Sequence, residues 1–264
     1  MIKGKIAYSG FTDGYWQIWV MDCAAKSAVQ LTSSKVDKKT PVWSPEGKRI
    51  IYRTSNGEFF LIDVESKEEK RIFSKLGYLV DPSWISLERI LFARYRSDLK
   101  DDSDIWSADL NGAGVKVINE DLGLQYFPAI SPDGEKIVYV SGKKAHEHDI
   151  WVMNKNGQDK VLLVQKYGYD ICPRWSPDGK SIVFVSDRTG SYEIWIMNAD
   201  GSNQTQFTRT KGYNNNPAWS PDGERIVFVS NAGGDLQLWV MDKDGNNAVQ
   251  ITRGAECVDP AWCL

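Results

Sequence analysis

Apolar residues recur along this chain in short runs bounded by Gly, Pro, Asn or Asp, and nowhere do they sustain a helical period. The segment from Pro173 to Thr208 shows the unit most clearly. Pro173–Ser176 predicts a short strand. Ser-Pro-Asp-Gly then supplies a turn: proline presets φ at its second position, and glycine accepts the left-handed conformation. Ser181–Ser186 predicts a second strand from its β-branched and aromatic residues, followed by a loop at Asp187–Ser191. Glu193–Met197 predicts a third strand, Asn198–Gly201 a turn and Gln204–Thr208 a fourth strand. The strands of such a unit are named A to D in chain order.

The unit repeats. Pro-x-Trp-Ser-Pro-Glu/Asp-Gly begins at Pro41, Pro173 and Pro217, with Ile130 replacing the tryptophan in the copy at Pro128. A worn copy begins at Pro82, a truncated one at Pro260, and the leading prolines are 41, 46, 45, 44 and 43 residues apart. Four-stranded propeller blades have this length. Ten of the 11 tryptophans fall on two repeat positions. Strand A carries Trp43, Trp84, Trp175, Trp219 and Trp262; strand C carries Trp19, Trp106, Trp151, Trp195 and Trp239, with Phe60 as the substitute. Aromatic rings at fixed depths are what blade-on-blade packing needs, so these read as core.

The chain starts inside a repeat. Lys5–Ser9, Gln17–Met21 and Val29–Thr32 match strands B, C and D, while the strand A that should precede them stands at the far end, around Pro260. The expectation is an all-β fold: a six-bladed β-propeller of four-stranded antiparallel blades, its ring closed by a blade shared between the N- and C-termini. That leaves no long unpaired sheet edge, and residues 1–264 would form one complete domain.

The repeat resembles that of TolB-like propellers: Pro-x-Trp-Ser-Pro-Asp-Gly, a β run, Ile-Trp-x-Met-Asn/Asp, then Gln-Leu-Thr. The resemblance covers essentially all 264 residues. It implies a scaffold that binds partner proteins or short disordered peptides at its propeller. TolB itself is periplasmic and has a further N-terminal domain and a leader that this sequence does not show. Similar repeats also form the propeller halves of prolyl-oligopeptidase-like hydrolases.

Composition narrows the function. A formal charge of −3 provides no global field for nucleic acid, and no run of 18 apolar residues predicts membrane insertion. Without a leader the compartment is cytoplasmic by default, or periplasmic if a leader has been removed. The chain is expected to be a monomer. Cys23, Cys172, Cys257 and Cys263 form no C-x-x-C pair and read as free thiols. No catalytic residue is assigned: no Gly-x-Ser-x-Gly occurs, and the two histidines, His146 and His148, share one loop. That pair reads as an exposed hairpin tip, with metal ligation as the alternative. The acidic loop Arg96–Asp104 reads as solvated. No cofactor is expected, and a calcium ion in that loop or in the channel is the alternative.

A binding site is expected at the channel mouth, in the D–A loops just before each motif proline. Those loops differ from blade to blade while the strands agree. The candidates are Lys38, Lys39, Asp81, Tyr126, Phe127, Tyr169, Asp170, Tyr213, Asn214, Asn215 and Asp259. Asp81, Asp170 and Asp259 would share matching positions. Trp16, the tryptophan outside the repeat pattern, joins them. Mixed acids, amides and aromatics suit a protein or peptide better than phosphate. The competing function is a channel for a small molecule or metal, with an activity of unrecognised type.

Overall fold

The computed structural model describes residues 2–96, 102–144, 147–165, 167–210 and 212–263, with backbone alone at 143 and 144. The 24 elements among them are all β-strands. The chain opens with the antiparallel strands β1 (Lys5–Thr12), β2 (Tyr15–Asp22) and β3 (Ser27–Gln30). A complete antiparallel set follows: β4 (Lys38–Trp43), β5 (Arg49–Thr54), β6 (Phe59–Asp63) and β7 (Glu69–Ile72). The order recurs in β8 (Leu79–Trp84), β9 (Arg89–Tyr95), β10 (Ser103–Asp109) and β11 (Lys116–Asn119). It recurs in β12 (Leu124–Ile130), β13 (Lys136–Lys144), β14 (Glu147–Asn154) and β15 (Val161–Val164). The next set is β16 (Gly168–Trp175), β17 (Ser181–Ser186), β18 (Glu193–Asn198) and β19 (Thr205–Gln206). After it come β20 (Asn214–Trp219), β21 (Arg225–Ser230), β22 (Gln237–Asp242) and β23 (Val249–Gln250). Finally β24 (Cys257–Cys263) pairs antiparallel with β1, Trp262 opposite Ile6. This set therefore draws strand A from one end of the chain and strands B to D from the other.

The turn after strand A is held by its serine. Ser131, Ser176 and Ser220 each donate to the aspartate two residues on, at 2.6 Å. Each also accepts the N–H of the first strand B residue or its neighbour, at 2.9 Å. Gly134, Gly179 and Gly223 sit at φ 75°, 69° and 71°, which is where the motif requires glycine. In the worn copy a shorter connection joins Trp84 to Arg89, and β8 still pairs with β9.

The strand A tryptophans tie neighbouring sets together. Trp43 donates its indole N–H to the Ala261 carbonyl, Trp84 to Val42, Trp175 to Ala129 and Trp219 to Arg174. In each case the acceptor lies on strand A of another set. Cores fill the space between sets. Ile182 and Phe184 of β17 pack with Val138 and Ile150 of the set before, and Ile6 and Tyr8 pack with Val227 and Leu238. All four cysteines are buried, and none is in a disulfide. Burial pushes the thiols of Cys23, Cys257 and Cys263 up to about 11 and that of Cys172 to about 12.

Strand A differs from expectation in one respect. It begins upstream of the motif proline and includes the residues assigned to the D–A loop. A register shift at the X-Pro pair lets the strand pair with strand B on both sides of that proline, as between Lys39 and Val42 or Tyr126 and Ala129.

Candidate functional site

The residue before each motif proline is left-handed in all six strands A. Thr40, Asp81, Phe127, Cys172, Asn216 and Asp259 have φ between 50° and 55°. Asparagine and aspartate tolerate this conformation. Threonine, with its branched Cβ, and bulky phenylalanine do not, and each costs roughly 1–2 kcal/mol there. The bulge turns these residues toward the centre. All but Cys172 line a cavity of about 620 Å³, which runs from this ring to the A–B turns at Ser44–Gly47 and Ser220–Pro221.

The bulges are cross-linked. Asp81 Oδ2 accepts the N–H of Phe127 in the next strand A, and Asp259 Oδ2 accepts that of Thr40, both at 3.2 Å. Burial pushes the Asp81 carboxyl up to about 6, against the Phe127 N–H and the charges of Arg174 and Arg53; the Asp259 charge adds to the rise. Asp259 is raised by the same cause, opposed by the Thr40 N–H, Lys39, Ser9 and Arg53.

Two residues before the left-handed position, strand A side chains are buried. Lys38 is 3% exposed, Asp170 1% and Asn214 0%. Lys38 hydrogen-bonds Ser34 Oγ, and burial lowers its pKa against the charge of Glu69. Asp170 pairs with Arg188 at 2.8 Å. Asn214 donates to Glu193 at 2.9 Å and to Thr210 at 2.6 Å. These three of the expected mouth residues are thus committed to internal networks. Asp170 does not match Asp81 and Asp259 in position: Cys172 holds the matching left-handed position, and Asp170 stands two residues before it.

Most of the remaining candidates contact one another. Tyr126 packs on Phe127 with centroids 5.0 Å apart, and its hydroxyl hydrogen-bonds His148 Nδ1 at 2.8 Å. The His148 ring stacks on Tyr169 at 4.6 Å. Tyr169 lies 6.4 Å from Tyr192, and Tyr192 lies 5.7 Å edge-on to Tyr213. The Tyr213 hydroxyl accepts from Asn215 at 2.7 Å. Five rings and one imidazole therefore form a continuous arc, on β12, β14 and β16 and just ahead of β18 and β20. Trp16 stands apart: Phe11 meets it edge-on at 5.4 Å, and Lys39 Nζ lies 4.2 Å above its ring.

The sequence missed His148, Tyr192 and Arg174. His148 is 7% exposed, so the expected exposed tip is corrected: parallel pairing of His148 with Tyr169 draws it inward. His146 and residues 97–101 of the acidic loop lie outside the described residues. Among the described residues, no three His, Cys, Asp or Glu side chains converge as metal ligands would. Among the same residues, no helix is long and apolar enough to cross a membrane.

Four-stranded antiparallel sheets whose first strands line a common cavity define a β-propeller. The match to known sequences is more specific. The chain belongs to the TolB beta propeller domain family, whose model matches residues 3–163 and 87–263. A TolB homolog of Chlorobium luteolum is 26% identical over 141 residues, which is 53% of this chain and 32% of that protein. The Tol-Pal system protein TolB of Francisella tularensis subsp. mediasiatica is 27% identical over 143 residues, 52% of this chain and 32% of that protein. The matched part is thus about a third of these relatives' length. The crystal structure of TolB from Acinetobacter baumannii superposes with a TM-score of 0.82 at 23% identity, covering 98% of this chain and 66% of that one. An oligogalacturonate lyase in complex with manganese shares the fold more distantly, with a TM-score of 0.64 at 19% identity, covering 95% of this chain and 74% of that one.

Proposed function

We propose that this chain is a non-catalytic scaffold that holds an extended segment of a partner protein across the channel mouth. In this reading the six strand sets close as a six-bladed ring, and the chain acts as a monomer. The observation that carries it is the aromatic arc Phe127–Tyr126–His148–Tyr169–Tyr192–Tyr213. Tyrosine offers broad contact area at small entropic cost, and its hydroxyl directs hydrogen bonds to a peptide backbone. The curated relatives include proteins named as parts of the Tol-Pal system, which supports a role in assembly. A shared fold does not transfer the lyase's chemistry.

The test begins with affinity capture from the native organism, then measures binding of the purified partner to wild type and to Tyr169→Ala/Tyr213→Ala. Both rings are half-buried at the surface, so the variant should fold. The expected result is a loss of about tenfold or more, the scale of one central contact. Unchanged affinity in a folded variant overturns the reading.

A further inference from the structure

The mouth is one end of the channel, and the cavity occupies the other. Its lining begins at the bulge ring and ends at the A–B turns, without Tyr126, Tyr169 or Tyr213. At its inner end are two carboxylates, Asp81 and Asp259. Each uses Oδ2 for the neighbouring bulge N–H, and Asp259 Oδ2 also accepts from the Ser9 hydroxyl at 3.3 Å. Among the described residues, neither carboxylate is in an ion pair, and Oδ1 of each accepts no hydrogen bond. Below them the wall is apolar, with Pro41, Val42, Pro82, Pro217 and Pro260. Arg174 is the arginine of this wall, and it is held over Phe127 at 6.0 Å and on the Pro173 carbonyl at 2.9 Å.

We propose that this cavity binds a primary ammonium group on an aliphatic stem: a lysine side chain of a partner protein, entering from the A–B turn face. The ammonium sits between Asp81 and Asp259 and donates to their open oxygens, while the prolines enclose the methylene stem. The aliphatic wall favours a stem that sheds water, and the paired carboxylates favour a compact charge at its tip. A calcium ion needs six or more oxygens converging on one point, and the described ligand types do not converge in that way. The resident cations Arg174, Arg53 and Lys39 leave both carboxyls raised, so burial outweighs them and a counter-charge in contact remains favourable. This site shares Phe127 with the aromatic arc, but none of the arc's tyrosines lines it.

The test uses n-butylammonium chloride as probe, followed by protein-observed NMR, with n-butanol and calcium chloride as comparisons. Butylammonium should bind saturably, and n-butanol should not. Asp81→Asn/Asp259→Asn keeps an acceptor for each bulge N–H and should lose affinity by about tenfold or more. Tyr169→Ala/Tyr213→Ala should bind the probe as wild type does. Wild-type binding should also weaken as pH falls through about 6, where Asp81 takes up its proton. Equal affinity in the double Asn variant, equal binding of n-butanol, or saturable calcium binding lost in that variant would each overturn the proposal. None of these results bears on partner capture at the mouth.

Discussion

Asp81→Asn should stabilise the protein at neutral pH. The Asp81 carboxyl rises from 3.8 to about 6 on folding, chiefly because burial removes it from water. A raised carboxyl binds its proton more tightly in the folded state, so stability falls as pH climbs from about 4 to about 6 and stays reduced above that. The full shift corresponds to roughly 3 kcal/mol at about 1.4 kcal/mol per pH unit. The side chain is partly exposed to the cavity, so solvent screening reduces this to about 1–2 kcal/mol. Asparagine never ionises, and its carbonyl oxygen can still accept the Phe127 N–H that Asp81 Oδ2 takes at 3.2 Å. Urea melts of wild type and variant at pH 7.5 should differ by about 1–2 kcal/mol in favour of the variant. At pH 4.5, where folded Asp81 is protonated but the unfolded carboxyl is mostly ionised, the difference should shrink to about a third. A variant less stable at pH 7.5, or a difference that does not change with pH, would refute the linkage argument.

Four further outcomes follow from the packing and the backbone. Trp262→Ala should cost about 3–5 kcal/mol in a urea melt, because it empties a core and removes the indole bond to the Lys3 carbonyl. Trp16→Ala, which strips a half-buried ring from Phe11 and Lys39, should cost about 1 kcal/mol or less; comparable losses would contradict the division between core and peripheral tryptophans. Glu193→Gln should change stability by less than about 0.5 kcal/mol, since Gln17 already meets Thr32 as Glu193 meets Thr208, whereas Glu193→Ala should cost about 1–3 kcal/mol by removing the acceptor of the buried Thr208 hydroxyl and one acceptor of the Asn214 amide. Thr40→Asn should raise the urea midpoint by the equivalent of about 0.5–1 kcal/mol, because Asn216 shows that asparagine fits φ 50° at the matching position.

The repeat made much of this architecture legible. Ser-Pro-Asp-Gly announced its own turn, and Trp43, Trp84, Trp175 and Trp219 marked strand A, where their indoles now reach neighbouring backbones. Pro260-Ala-Trp262 announced the strand that pairs with β1. The site was legible only in part. Lys38, Asp170 and Asn214 looked like loop residues because the bulge at the X-Pro pair is not encoded by residue type: nothing about Thr40, Phe127 or Cys172 predicts a left-handed backbone. With the bulge unseen, the alternation upstream of it was unreadable, and buried positions could not be told from exposed ones. His148 was missed for a related reason, since its contact with Tyr169 depends on parallel pairing between two sets. Tyr192 had a weak signal, an aromatic closing the B–C loop next to Glu193.

The left-handed bulge also sets how this family member can change. Each of its six residues is aimed by a backbone kink, while the strand on either side of it keeps its pairing. A substitution at Thr40, Asp81, Asn216 or Asp259 alters the channel wall, whereas Phe127 and Cys172 also pack in a core between sets; the penalty at the four is the local torsional preference of the new side chain, plus any bulge N–H that loses Asp81 or Asp259 as its acceptor. Those four positions therefore behave as separate letters written on a fixed page. New binding preferences are reachable one letter at a time, without an intermediate that fails to fold.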